Sequence, residues 1–270
     1  MSAVVTLLSD FGLRDGFVAA MKGVILGIAP EVVLVDTSHE IEPGDVEAAA
    51  FVLSQYWHLF GEGSVHLAVV DPGVGSERKA LAMRATGRYI VAPDNGLVTH
   101  VVRHAQTWRC VEISDPRYLR PEPSSTFHGR DIFAPAAAHL AAGLPLERLG
   151  PVLANPLLLA QTEPVRESEE IRGHVAHIDR FGNLITDIPA DWLEGVWRIH
   201  VAGVGVGEVR RAYSQVGSGE MLAVIGSLRT LEVARRGASA AERLGVGRGE
   251  PVICRRAESR TSARPETPEG

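Results

Sequence analysis

The sequence predicts an α/β fold: an N-terminal, mostly parallel sheet with flanking helices, followed by a smaller β-rich, barrel-like C-terminal domain. Three observations carry this reading. Apolar runs of strand length end in a carboxylate and a glycine, as in Leu7-Leu8-Ser9-Asp10-Phe11-Gly12 and Val69-Val70-Asp71-Pro72-Gly73. Segments with helical apolar spacing lie between such runs. Beyond Ile171 the pattern turns into short strands separated by turn residues.

The first strand is Val4 to Leu8. Asp15 is then placed to cap a helix whose apolar residues are Phe17, Met21, Val24 and Ile28, and Ala29-Pro30 ends it. Val32 to Val35 is the second strand. Pro43 suits a helix start, with Val46, Ala49 or Ala50, Leu53 and Trp57 as the buried stripe. Val65 to Val70 is apolar at five of its six positions, as expected of a strand covered on both faces. Strands at Ala80 to Met83 and Tyr89 to Ala92 follow, the second running into Pro93-Asp94-Asn95-Gly96. Phe127-His128-Gly129-Arg130-Asp131 opens a helix with Phe133, Ala136, Ala137 and Leu140 apolar, closed by Gly143. Later strands are expected at Gly173 to Ile178, Leu184 to Ile188, Trp197 to Val201, Met221 to Ile225 and Pro251 to Cys254, with one helix at Leu231 to Leu244. The expected organisation is residues 1–152 as the α/β domain, 153–170 as a linker, 171–256 as the β-rich domain and 257–270 as a disordered polar tail.

Composition narrows the function classes. A net charge of -6 over 270 residues gives no basic footprint for nucleic acid. No apolar run approaches the roughly 20 residues of a membrane span, and the chain reads straight into a strand without a leader pattern, so a cytoplasmic protein is expected. Cys110 and Cys254 are too few for a disulfide framework or a zinc site.

Ligands of open α/β sheets sit outside the carboxyl ends of strands, which draws attention to Asp71, to Arg78 seven residues on, and to Asn95. His128 lies on a loop of the same domain. A metal site would need His39, Asp71, His128 and Asp131 to converge, and no spacing identifies one, so none is expected. Asp10-Phe11-Gly12 spells the kinase magnesium triplet but has no room for the preceding kinase elements. Gly203-Val204-Gly205-Val206-Gly207 lacks the helix of a dinucleotide fingerprint and reads as a hairpin. Asp179-Arg180-Phe181-Gly182-Asn183 is either an ordinary hairpin turn or a grip for a nucleoside, with an amide for the base edge and an aromatic to stack on it.

Together, Ser9-Asp10-Phe11-Gly12, Val70-Asp71-Pro72-Gly73-Val74-Gly75, Pro93-Asp94-Asn95-Gly96, Phe127-His128-Gly129-Arg130-Asp131 and Phe181-Gly182-Asn183 stand in the order found in the S-adenosylmethionine hydroxide adenosyltransferases. The chain resembles that family, hydrolytic relatives of the fluorinase and chlorinase, over about residues 3 to 254. The resemblance implies hydrolysis of S-adenosylmethionine to adenosine and methionine by water attack at C5′, with no metal or organic cofactor. It implies Asp71, Arg78 and His128 as the catalytic set, and substrate contacts from Asp10, Phe11, Asn95, Asp179, Phe181, Asn183, Ser227 and Glu232. It further implies a homotrimer with sites between subunits. Two positions depart from the family pattern: Gly226 stands where asparagine is usual before the serine, and Arg229 where a glycine is usual two residues after it. A non-catalytic adenosine or S-adenosylmethionine binding module and a halide-dependent enzyme are the competing expectations. The thioether leaves uncharged and needs no acid, so the chemical difficulty is the water nucleophile. Asp71 and His128 both remain possible proton acceptors at this level.

Overall fold

A computed structural model describes residues 3–160 and 162–257, and the chain divides after Ala160 into two compact units. The first contains, in order, β1 (Val4–Ser9), α1 (Phe17–Ile28), β2 (Val33–Ser38), α2 (Val46–Tyr56), β3 (Val65–Val69), β4 (Ala80–Ala85), β5 (Arg88–Pro93), α3 (Thr99–His104), β6 (Trp108–Glu112) and α4 (Ala134–Ala141). Its sheet runs β2-β1-β3-β5-β4-β6. The first four strands in that order are parallel, and β4 is antiparallel to both its neighbours.

Alternation along the central strands divides the core. Val5, Leu7, Val65, Leu67 and Val69 face Met21 and Ile25 of α1 and Phe133, Ala137 and Leu140 at the α4 end. Leu8, Ala68 and Val70 point the other way, toward Leu53, Trp57 and Val101. With both faces covered, every residue of β3 is buried, including His66. His66 bonds Thr6 Oγ1 at 2.9 Å, and burial pushes its pKa down from 6.5 to about 4. The folded state therefore holds a neutral ring where the unfolded chain takes up a proton below 6.5. Stability is expected to fall with pH between those two values, by roughly 3 kcal/mol at most. Denaturant midpoints at pH 7 and pH 4.5 check this, and His66→Gln should flatten the difference.

Several sequence expectations are corrected. Asp15 does not cap α1; Gly16 precedes the helix and offers no side chain, and the buried stripe is Val18, Met21 and Ile25, with Phe17 exposed. Pro43 lies upstream of α2, whose cap is Asp45, accepting from Ala48 N at 3.0 Å. The sequence pattern predicts neither α3 nor β6. The first part of the expected linker, residues 153–160, packs onto the first unit: Leu153 N donates to Cys110 O, Leu157 N to Asp94 Oδ1 at 2.7 Å and Leu159 N to Thr99 Oγ1 at 2.8 Å.

The second unit comprises β7 (Val165–Arg166), β8 (Glu170–Ile178), β9 (Leu184–Pro189), β10 (Trp197–Val201), β11 (Val204–Arg210), β12 (Met221–Ile225), β13 (Thr230–Arg235), α5 (Ala240–Leu244) and β14 (Pro251–Arg256). Seven strands close a barrel in the order β14-β10-β11-β12-β13-β9-β8, because β8 also pairs with β14. Its interior holds Ile171, Leu184, Trp197, Ile199, Leu231, Val233, Val252 and Cys254. The helix expected at Leu231 to Leu244 is instead β13 and the short α5. Pairing with β12 and β9 on both sides claims the first half, and Gly237, at φ 74°, turns the chain between them. The glycine-rich 203–207 segment is the turn and start of the β10–β11 hairpin. Of the polar end, Ala257 N donates to Val196 O, and residues 258–270 lie outside the described residues. Among the described residues, no helix is long and apolar enough to cross a membrane.

Candidate active site

The parallel register sets the site. Ser9 lies level with Val69, so the residues following β1 and β3 leave the sheet side by side, bringing Asp10 and Asp71 to the same carboxyl edge. Asn95 leaves β5 beside them. Its Nδ2 donates to Val70 O at 2.9 Å and its Oδ1 accepts from Leu97 N at 3.3 Å. Asn95 therefore ties two loop exits together, a role that its position in the sequence did not suggest.

After Asp71 the chain coils back on itself, with Val74 N donating to Asp71 O and Ser76 N to Gly73 O. Gly75 adopts φ 79°, and a Cβ there would lie 2.6 Å from Ser125 O. Only glycine lets this loop meet the 121–128 loop so closely. The coil returns Arg78 to Asp71. Arg78 Nε donates to Asp71 Oδ1 at 2.8 Å and Nη2 to Asp71 Oδ2, a two-pronged ion pair whose side chains are only 9% and 6% exposed. The guanidinium lies 5.1 Å from the ring centre of Phe133. Arg78 Nη2 also reaches His128 Nδ1, at 2.7 Å.

That contact fixes the histidine tautomer. Arginine always carries its protons, so Nδ1 must accept, and a neutral His128 carries its hydrogen on Nε2. Burial, and then the adjoining Arg78 charge, push the His128 pKa below 6.5, while Asp71 and Asp131 partly oppose them. The three side chains thus form a locked chain of carboxylate, guanidinium and neutral imidazole.

The loop bearing His128 enters α4 through a wide turn, Gly129–Phe133, in which Ala134 N donates to the Gly129 carbonyl five residues back. Asp131 is 2% exposed, accepts from Ser124 N at 3.0 Å and pairs with Arg130, so it braces this loop rather than capping the helix. Phe127 packs edge-on against Phe11 and Phe17, with centroids 5.8 and 5.2 Å away. Gly129 fits closely among Met21, Phe11 and Phe127. Asp10 Oδ2 accepts from Gly44 N at 2.9 Å. Of the four residues weighed for a metal, Asp71 and His128 share Arg78, whereas His39 and Asp131 are bonded to other groups.

In the second unit, Asp179 organises the β8–β9 turn. Its Oδ1 accepts from Phe181 N and Asn183 N, and its Oδ2 from Asn183 Nδ2 at 2.9 Å. Phe181 is 75% exposed, so the turn presents an aromatic side chain to solvent. Glu232, on β13, is buried and accepts from Tyr213 OH. Burial raises its pKa, the Tyr213 bond opposes this, and the Asp179 charge adds to it. Ser227 is exposed in the tight turn between β12 and β13, where Arg229 N donates to Gly226 O at 3.0 Å. Both departures from the family pattern have local counterparts here. A Cβ at Gly226 would sit 2.7 Å from Glu232 Oε2, and Arg229 occupies a left-handed φ of 62°. The sequence does not single out Tyr213, which lies in a short turn between β11 and β12, because its partner on β13 is 19 residues away.

The fold and these side chains define a two-unit α/β protein with an arginine-centred polar site at the carboxyl edge of a parallel sheet. Residues 5–150 match the SAM hydroxide adenosyltransferase N-terminal domain and residues 173–253 the C-terminal domain. The chain is 43% identical over 257 residues to an (R)-S-adenosyl-L-methionine hydrolase of Thermus thermophilus, covering 92% of this chain and 98% of that protein. It is 32% identical over 231 residues to a fluorinase of Nocardia brasiliensis, covering 76% and 75%. A crystal structure of an uncharacterized conserved protein from Thermotoga maritima superposes with a TM-score of 0.87 at 38% identity, covering 93% of this chain and 100% of the other. The chain belongs to the SAM hydroxide adenosyltransferase family.

Proposed function

We propose that this protein hydrolyses S-adenosyl-L-methionine to adenosine and L-methionine, acting on the (R) sulfonium epimer. Similarity to proteins named (R)-S-adenosyl-L-methionine hydrolase supports the substrate and its epimer. The observation that carries the mechanism is Arg78, held by Asp71 on one side and His128 Nδ1 on the other.

In this reading a water lies in line with the C5′–S bond, within reach of the guanidinium and of an Asp71 oxygen. His128 accepts from Arg78 at Nδ1 and so holds the guanidinium toward the water. Asp71 keeps unshared lone pairs and takes the proton. No free hydroxide is needed: as the C–O bond forms, the attacking water becomes strongly acidic, and a carboxylate is base enough. The sulfur departs as a neutral thioether with the C–S electron pair, so no acid, metal or organic cofactor is called for. Asp10 grips the ribose. Phe11 lines the same edge, and Asn95 holds the strand exits in place. Asp179, Phe181 and Asn183 receive the adenine, and Ser227 and Glu232 the methionine end. A homotrimer with sites shared between subunits, and a cytoplasmic location, complete the proposal; light scattering on the purified protein tests the first.

The deciding experiment separates the sulfonium epimers and follows each by chromatography. Adenosine is expected from the (R) epimer, with and without chelator. Binding without product would favour the binding module, and 5′-chloro-adenosine in chloride would favour halide transfer. A pH profile tests the histidine. Because protonation at Nδ1 breaks the Arg78 contact, kcat/KM should hold steady from pH 8 down past 6.5 and fall only below it, the direction set by the lowered His128 pKa. An acid limb centred above pH 7 would contradict the assigned tautomer.

A further inference from the structure

Ser9 and His39 are 0% and 3% exposed, and neither is used in the mechanism above. Ser9 Oγ lies 2.7 Å from His39 Nδ1, His39 Nε2 lies 3.1 Å from Asp36 Oδ1, and Lys22 Nζ lies 2.6 Å from Asp36 Oδ2. The order of residues suggests a serine nucleophile, but Ser9 is fully buried and the imidazole meets it through Nδ1.

One assignment of protons satisfies every group. Lys22 and His39 Nε2–H both donate to the Asp36 carboxylate, which leaves His39 Nδ1 as an acceptor. Ser9 O–H donates to it, and Ser9 Oγ in turn accepts from Phe11 N at 3.4 Å. The chain therefore runs from a surface ion pair to a backbone amide next to Asp10. The segment that carries His39 holds the same loop in two further ways. The His39 carbonyl accepts from Gly12 N at 2.7 Å, and Gly44 N donates to the Asp10 carboxylate at 2.9 Å. Thr37 Oγ1 anchors the segment on β1 through Leu7 O at 2.7 Å.

We propose that His39, acting through Ser9, is a positioning residue that fixes the Asp10-Phe11-Gly12 loop in its substrate-binding form. The consequence for binding rests on the reading that Asp10 grips the ribose; the consequence for the loop does not. Losing the imidazole frees the Ser9 hydroxyl to rotate and releases the Phe11 amide. The bonds of the trio at Arg78 do not run through Ser9 or His39.

The test uses His39→Ala, Ser9→Ala and the double variant of the full chain. Each single variant is expected to raise KM about tenfold while kcat stays within threefold of the parent. The double variant should be no worse than the worse single one, because both cut one chain. His39→Asn, whose amide oxygen can accept from Ser9, should recover most of the loss. Amide exchange at Phe11 should quicken in both single variants. Unaltered Phe11 exchange in folded Ser9→Ala, or additive losses in the double variant, would each overturn the proposal, whereas quickened exchange with an unchanged KM would keep the loop role and overturn the ribose reading. If the parent does not turn over S-adenosyl-L-methionine, the proposed function fails, and Phe11 exchange alone still decides whether His39 positions the loop.

Discussion

Arg78→Ala is expected to lower kcat by about 10²–10³-fold and to change KM far less, because in the proposed mechanism the guanidinium acts on charge that develops as water attacks. The same change leaves Asp71, 6% exposed, as a buried carboxylate without its partner. That costs about 3–5 kcal/mol in comparable cases, so activity must be compared at equal folded fraction. Arg78→Lys separates the two effects. It restores a positive charge beside Asp71 but cannot donate to both carboxylate oxygens and to His128 Nδ1 at once. Stability should largely return while kcat stays low. Steady-state kinetics with thermal melts on both variants checks this. Parent-like turnover in either variant would remove Arg78 from the mechanism.

Gly182→Ala is expected to be the most damaging single methyl group in the second unit. Gly182 sits at φ 79°, and an added Cβ would lie 2.1 Å from Ser239 Oγ and 2.9 Å from the Ser239 Cα. Backbone lies behind the hydroxyl, so rotating the serine does not relieve the clash. The Gly182 carbonyl also accepts from Ala240 N and Ala241 N, joining the turn to the start of α5. Strain and lost bonds together should cost on the order of 3 kcal/mol, lowering Tm by several degrees. Because Phe181 and Asn183 flank this glycine, KM should rise as well. Gly182→Ala paired with Ser239→Gly checks the cause, since the second change removes the obstructing side chain and should recover part of both losses.

Much of the first unit was legible because its strands are apolar on both faces and end in polar side chains: Asp10, Asp71 and Asn95 all lie at the sheet edge. Trp108 and Arg109 are exposed on β6, which is the last strand of its sheet, so that strand carries little apolar pattern. Thr99–His104 is too short for periodicity to speak. At Leu231 the apolar spacing fits a helix, and only pairing with distant strands decides otherwise. The site divides in the same way. Residue types at loop exits could be read from the chain, whereas contacts spanning 30 to 50 residues, such as Ser9 with His39 and Arg78 with His128, depend on tertiary structure.

The wide turn at Gly129–Phe133 makes chain length itself a constraint. Each residue of an α-helix advances the chain by about 100° around its axis, so deleting one residue here would let the ordinary helical ladder re-form. His128 would then swing by about that angle around the helix that supports it, away from Arg78. Side-chain changes in this segment are local matters; a change in the number of residues re-aims the His128 imidazole. Loop grafts between members of the family should therefore preserve the residue count from His128 to Ala134 before they preserve identity.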